Sequence, residues 1–210
     1  MKKTFVLIVL FILPIVAYLF FASGVHSFGM LPKLTENLED LQQYNSEVSL
    51  ENKITILGFF GQDVASKKGI AFNVNQKIYK RFAAFKDFQF VMLVSDTQKE
   101  EIAEFKKELG ALSAIDKWRF VYMPNESIKA YFESLKTNLT LGDDYGSSYM
   151  FIVDKDRTLR GRKADEDEGL KYGYNALSVA EINNKMEDDV KIILAEYRMA
   201  LKKNNAYRSK

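Results

Sequence analysis

The sequence predicts an α/β domain: a central mixed β-sheet with helices on both faces, carried behind an apolar N-terminal segment. Three observations predict it. Three short apolar runs read as buried strands, and a stripe of apolar residues at helical spacing follows each of them. A later pair of runs flanks a polar turn, as in a hairpin, and a long amphipathic stretch closes the chain. Before all of these stands an uncharged stretch, Phe5 to Ala22. The resulting order is βαβαβα, then a β-hairpin and a C-terminal helix, which builds a parallel sheet with an antiparallel edge.

The first stretch, "FVLIVLFILPIVAYLFFA", holds 18 residues without a charge. At helical rise it covers roughly 27 Å, enough to span the hydrocarbon of a membrane. Lys2 and Lys3 precede it, so the N-terminus is expected in the cytoplasm and the rest of the chain outside it. A secretory signal cleaved at "ASG", Ala22 to Gly24, is the other reading, although its apolar core would be longer than usual. Pro14 is tolerable in such a span. The expected organisation is an anchor over 1–23, a linker and lead-in over 24–50, and one domain over 51–205.

"ITILGFF", Ile54 to Phe60, is β-branched and aromatic and is closed by Gly61, which predicts an interior strand. Ala71, Val74, Ile78, Phe82 and Phe85 then form a helical stripe. "FQFVMLVS", Phe88 to Ser95, is apolar enough to be a strand covered on both faces. Thr97 and Glu100 make a capping-box pattern before the stripe Ile102, Phe105 and Leu109, with an end near Gly110. "WRFVYM", Trp118 to Met123, is the third strand, and Ile128, Tyr131, Leu135 and Leu139 predict a helix ending before Gly142. "SYMFIV", the turn "DKDR" and "TLRGRK" predict the hairpin, and an acidic loop follows. Ser178 and Glu181 cap a last helix with Val179, Ile182, Met186, Val190, Ile193 and Tyr197 on one face.

Composition narrows the chemistry. At 210 residues, 47% hydrophobic and 28% charged, the chain suits one domain plus an appendage. With Lys2 and Lys3 set aside, basic residues balance the 28 acidic ones, so no nucleic-acid-binding face is implied. The chain has no cysteine. Thiol–disulfide exchange and cysteine peroxidase chemistry need a thiolate, so both are excluded.

An outward-facing domain with this order of elements resembles the thioredoxin-like fold. Within it, the chain is similar in layout to the SCO/SenC family of membrane-anchored proteins that help assemble the copper centre of cytochrome oxidase. The anchor and linker carry part of the resemblance. "ILGFFGQDV" is similar to the family's strand leading into a CxxxC motif, and "SYMFIVDKDRTLRGR" to its hairpin. The resemblance implies cysteines near Asp63 and Lys67 and a copper-binding histidine around Gly146 or Ser147. None of these residue types is present there, and the one histidine of the chain is His26. No catalytic, cofactor or metal residue is therefore assigned, and no cofactor is expected. With the family's chemistry missing, the expectation is a single-pass protein of a bacterial-type inner membrane, its domain in the periplasm, that acts as a non-covalent binding or assembly module for an envelope protein.

Other chemistry has to come from other groups. Met92, Met123, Met150 and Met186 fall on apolar strand or helix positions and read as core. Hard cations could be held by Asp143 and Asp144, or by Asp165 and Asp167 in "DEDEG", although neither run has the spacing of a calcium loop. The turn "GQDVASKKG" feeds a helix N-terminus and carries Lys67 and Lys68, which would suit an anion. These residues make the alternative to a binding module: a ligand-binding protein or enzyme that uses a hard cation or an anionic substrate.

Overall fold

The computed structural model describes residues 10–16, 18 and 29–208. The predicted membrane span lies largely outside them. Its described part is helical, and Leu10, Phe11, Ile12, Leu13, Ile15 and Val16 are each more than half exposed. Among the described residues, no helix is long and apolar enough to cross a membrane.

The domain is built on one mixed sheet. The strands are β1 (Lys33–Thr35), β2 (Ile54–Gly61), β3 (Phe88–Ser95), β4 (Trp118–Met123), β5 (Tyr149–Val153) and β6 (Leu159–Arg160), in the spatial order β1-β6-β5-β2-β3-β4. β2, β3 and β4 are parallel, whereas β5, β6 and β1 pair antiparallel with their neighbours. A short β9 (Tyr174–Asn175) adds to the upper end of β5. The helices are α1 (Lys68–Val74, continuing through a π-helical turn, Asn75–Tyr79, into Lys80–Phe82), α2 (Lys99–Leu112) and α3 (Asn125–Ser134). The last, α4, starts at Val179–Glu181, passes through a second π turn, Ile182–Met186, and runs on as Glu187–Arg208.

Alternation along the central strands sorts the core into two layers. Ile54, Ile56, Phe60, Phe90 and Met92 face α1, α2 and α4. Leu57, Phe59, Val91 and Leu93 face α3. Every residue of β2 and β3 is buried, which explains why both runs are mainly apolar, and the buried Thr55 and Gln89 hydrogen-bond each other at 3.0 Å. On the α3 side, the Phe59 ring meets Phe132 edge-on at 5.0 Å and Phe151 at 5.8 Å. The four methionines read as core are fully buried.

Several elements differ from the sequence expectation. Residues 31–50 are not a tether, since Leu38, Leu41, Val48 and Leu50 are buried in the α3-side layer and β1 pairs with β6. Asp40 holds this irregular stretch by accepting from Leu41 N, Leu50 N (both 2.8 Å) and Ser49 Oγ (2.7 Å). α3 stops at Ser134 because Lys136 turns to φ 52°, so Leu139 packs from a loop instead of a helix. α2 runs past Gly110, and the expected Thr97–Glu100 capping box is replaced by Ser95 accepting from Thr97 N. The Ser178 cap does form, at 3.2 Å from Glu181 N, but the Glu181 carboxylate accepts from Asn175 N instead of closing the box. The hairpin strand breaks at Gly161, where an added β-carbon would lie 2.2 Å from Lys171 O. The acidic run is then the turn of a second hairpin, β7 (Arg162–Asp165) with β8 (Gly169–Lys171).

Candidate functional site

β2 ends in a bulge. Phe59 pairs with Leu93 and Gly61 with Val94, so Phe60 is the extra residue, and Gly61 takes φ 59°. This bend places the turn 62–67 against the loop that precedes β5. Gln62 N donates to Asp144 O at 2.7 Å, and Ser147 N donates to Phe59 O at 2.8 Å. The loop is itself tight, with Gly142 N to Gly146 O at 2.8 Å and Tyr145 at φ 55°.

Lys67 then reaches across. Its Nζ lies 2.6 Å from Asp144 Oδ2, with the lysine side chain 13% exposed and the aspartate 29%. Asp144 Oδ1 also accepts from Gly146 N at 3.0 Å. A β-carbon on Gly146 would sit 2.5 Å from Lys67 Cε, so Lys67 passes directly over the backbone of Gly146. The positions where the resemblance implies a cysteine and a copper-binding histidine are therefore neighbours, and an ion pair fills the space between them. Asp63 caps the turn by accepting from Ser66 N at 3.0 Å, while Lys68 pairs with Glu108 of α2 at 2.7 Å.

Partial burial pushes the Asp144 carboxyl up, but hydrogen bonds from Lys67 and from Gly146 N outweigh it and hold the group below the usual carboxylate range. Asp40, Asp87 and Asp165 are also lowered. A depressed folded-state value means stability that is present above the unfolded carboxylate value and lost as pH falls through the folded one. Stability is thus expected to fall below about pH 4. In Lys67→Met the share of that fall due to Asp144 should shrink, read as a shallower acid limb in urea midpoints measured from about pH 6 to 3.

The remaining candidates lie apart from this turn. Asp165 and Asp167 both accept from Lys185 at 2.6 Å, and Asp165 also faces Arg162. Lys171, with no exposed side-chain surface, pairs with Glu168 and Glu181. Three of the four carboxylates of the acidic run, Asp165, Asp167 and Glu168, are therefore paired with lysines, and among the described residues no group of three or more metal-ligating side chains comes together. Asp143 is exposed and lines a groove of about 480 Å³ between α3 and the loop 139–145, floored by Phe132, Leu139 and Leu141. His26 lies outside the described residues.

From the sequence alone, Lys67 is a candidate anion ligand and Asp144 a candidate cation ligand. They are 77 residues apart in the chain, and only the fold brings them together.

This arrangement of sheet and helices is the thioredoxin-like fold. Among solved structures, that of BsSco, described as a member of the Sco family of cytochrome c oxidase assembly proteins, matches with TM-score 0.52 at 12% identity, covering 78% of this chain and 97% of that one. The soluble domain of a Sco protein from Bacillus subtilis matches at TM-score 0.44 and 14% identity over 79% of this chain and 97% of that one. A thiol:disulfide interchange protein from a Bacteroides species matches at TM-score 0.43 and 15% identity over 79% and 91%. No protein-family model and no curated protein matches the sequence.

Proposed function

We propose that the chain is a membrane-anchored, redox-inactive thioredoxin-like domain that binds a protein partner non-covalently in the cell envelope, with its domain on the periplasmic side. One observation carries the reading: the Lys67–Asp144 ion pair fills the place where the resemblance implies redox and copper chemistry, in a chain with no cysteine. With no thiolate available, the surface around this turn has shape and hydrogen bonding left to offer. The groove beside Asp143 and Tyr145 adds an apolar floor to it. Anchoring is supported by the uncharged stretch behind Lys2 and Lys3 and by the exposed apolar side chains of its helical part, which water solvates poorly. A role in assembling oxidase or another membrane complex follows by analogy of fold. The hard-cation and anion alternative has little to favour it, because Lys67, Lys68, Asp144, Asp165 and Asp167 already hold partners of opposite charge.

A photocrosslinking residue placed at Ala65 or Asp143, in cells, tests this. The expected result is one common adduct from both positions and none from Glu104 on the outer side of α2. No adduct at either position, or disulfide reduction by the purified chain alone, would refute the proposal.

A further inference from the structure

At the opposite end of the strands from the Lys67–Asp144 turn, a groove of about 260 Å³ opens between the segment after α1, the β5–β6 turn and α4. Its floor is apolar, made by Ile54, Leu194 and the ring of Tyr197, with Phe85 39% exposed at its lip. A second hollow of about 220 Å³ continues it past Phe82 and Ala195. The lining charge is one-sided: Lys86, Lys155, Lys191 and Arg198 stand against the single carboxylate of Asp87. Lys155 is paired with Asp87 and Lys191 with Glu187, while Lys86 and Arg198 are exposed.

Two further features bear on this face. Beyond Glu196 the sequence holds Arg198, Lys202, Lys203, Arg208 and Lys210 and no acidic residue. The N-terminal segment also joins the domain close by, since Leu31 O accepts from Arg160, whose guanidinium also binds Glu196 of α4 at 2.6 Å. Extended, residues 23–30 reach roughly 26 Å, so an anchored domain can rest this end on its own membrane.

We propose that the groove and the basic end of α4 lie against an anionic lipid bilayer. Aromatic rings at the level of the headgroups and cations facing acidic lipids are the pattern of a peripheral membrane contact. Each cation near such a surface raises partition about fivefold. The proposal rests on the anchored reading given above and adds an orientation: the Lys67–Asp144 turn points away from the membrane, open to a partner.

The absence of cysteine makes single spin labels straightforward. The full chain carrying Ala84→Cys, next to the groove, or Ala65→Cys, at the far turn, is reconstituted into phosphatidylcholine vesicles with or without phosphatidylglycerol. The Ala84 label is expected to lose access to a water-soluble relaxation agent only when phosphatidylglycerol is present, and the Ala65 label should not change. Lys86→Glu with Arg198→Glu should return the Ala84 label to water and weaken the lipid contact about tenfold or more. Equal exposure of the Ala84 label in both vesicles, or equal loss at both positions, overturns the proposal. Flotation with neutral vesicles after a carbonate wash reads the anchor independently. A chain that floats there with its Ala84 label in water refutes this contact alone, whereas a chain that fails to float refutes the anchor.

Discussion

Replacing Arg160 with alanine is expected to lower stability by about 3–5 kcal/mol, the cost of leaving a buried carboxylate without its partner. Arg160 is 1% exposed and Asp154 fully buried, with Nη1 to Oδ2 at 2.7 Å. The same guanidinium donates to Leu31 O at 2.7 Å and to Glu196 Oε2 at 2.6 Å. It therefore joins the hairpin turn, the segment leading into β1 and α4. Burial pushes the guanidinium down, but Asp154 and Glu196 outweigh it and hold its proton more tightly than usual. Lysine at 160 keeps the charge but lacks the planar fork that reaches three acceptors, so its loss should be intermediate. Pairing Arg160→Met with Asp154→Asn should recover part of the alanine loss, because the orphaned charge is then gone. Urea midpoints of the chain in detergent decide the matter. A loss below about 1 kcal/mol for Arg160→Ala would mean that water reaches the pair.

The fold was largely legible because its strands carry their own signal. β2 and β3 are buried and mainly apolar on both faces, β4 is apolar apart from the exposed Arg119, and no helical period of that length competes. The stripes of α1, α2 and α4 are likewise read mostly from spacing, since each lays one face on the sheet, but Phe85 falls after the end of α1 and is 39% exposed, and Val179, in the first turn of α4, is 46% exposed. Residues 31–50 were not legible in the same way. Their backbone is held by Asp40 and by single long-range bonds, such as Tyr131 Oη to Glu39 O at 2.8 Å and Thr35 Oγ1 to Leu135 O at 2.7 Å. Such a stretch buries leucines without repeating them, so no period marks it. The end of α3 failed for the converse reason. Leu139 keeps helical spacing with Leu135, yet it reaches the core from a loop after Lys136 has turned out of the helix.

Legibility of the site was of a different kind. The missing cysteines and histidine could be counted in the sequence, and the resemblance said where they would have stood. What replaces them could not be counted. An ion pair between Lys67 and Asp144 depends on the bulge at Gly61 and on a loop closed by Gly142 and Gly146, none of which has a local pattern that names its partner. The acidic run shows the same gap. "DEDEG" looks like a reservoir of free carboxylates until α4 brings Lys185 to Asp165 and Asp167. Charge counted along a chain is not charge left over after folding.

Alanine at Gly61 is expected to cost about 2–4 kcal/mol, combining a left-handed backbone with forced overpacking. Gly61 sits at φ 59°, where a β-carbon is disfavoured whatever surrounds it. Here the surroundings are also closed, since that carbon would lie 2.0 Å from Asp144 O, 2.4 Å from Tyr145 C and 2.6 Å from Gly146 N. All three are backbone atoms of the loop that carries Asp144, and no rotamer change can move them aside. The loop itself has to withdraw, which breaks the bond from Gln62 N to Asp144 O and takes Asp144 away from Lys67. The expected signature is a lowered urea midpoint together with faster amide exchange at Gln62 and Ser147, while exchange in α4 changes only with global stability. Gly146→Ala makes a useful contrast. Its clash is with the flexible end of Lys67, at Cε 2.5 Å and Nζ 2.9 Å, so shortening that side chain in Lys67→Ala should relieve much of the penalty. Lys67→Ala should give no such relief to Gly61→Ala. If it does, the strain at the end of β2 comes from the lysine and not from the backbone of the loop, and the account of how this site is closed fails.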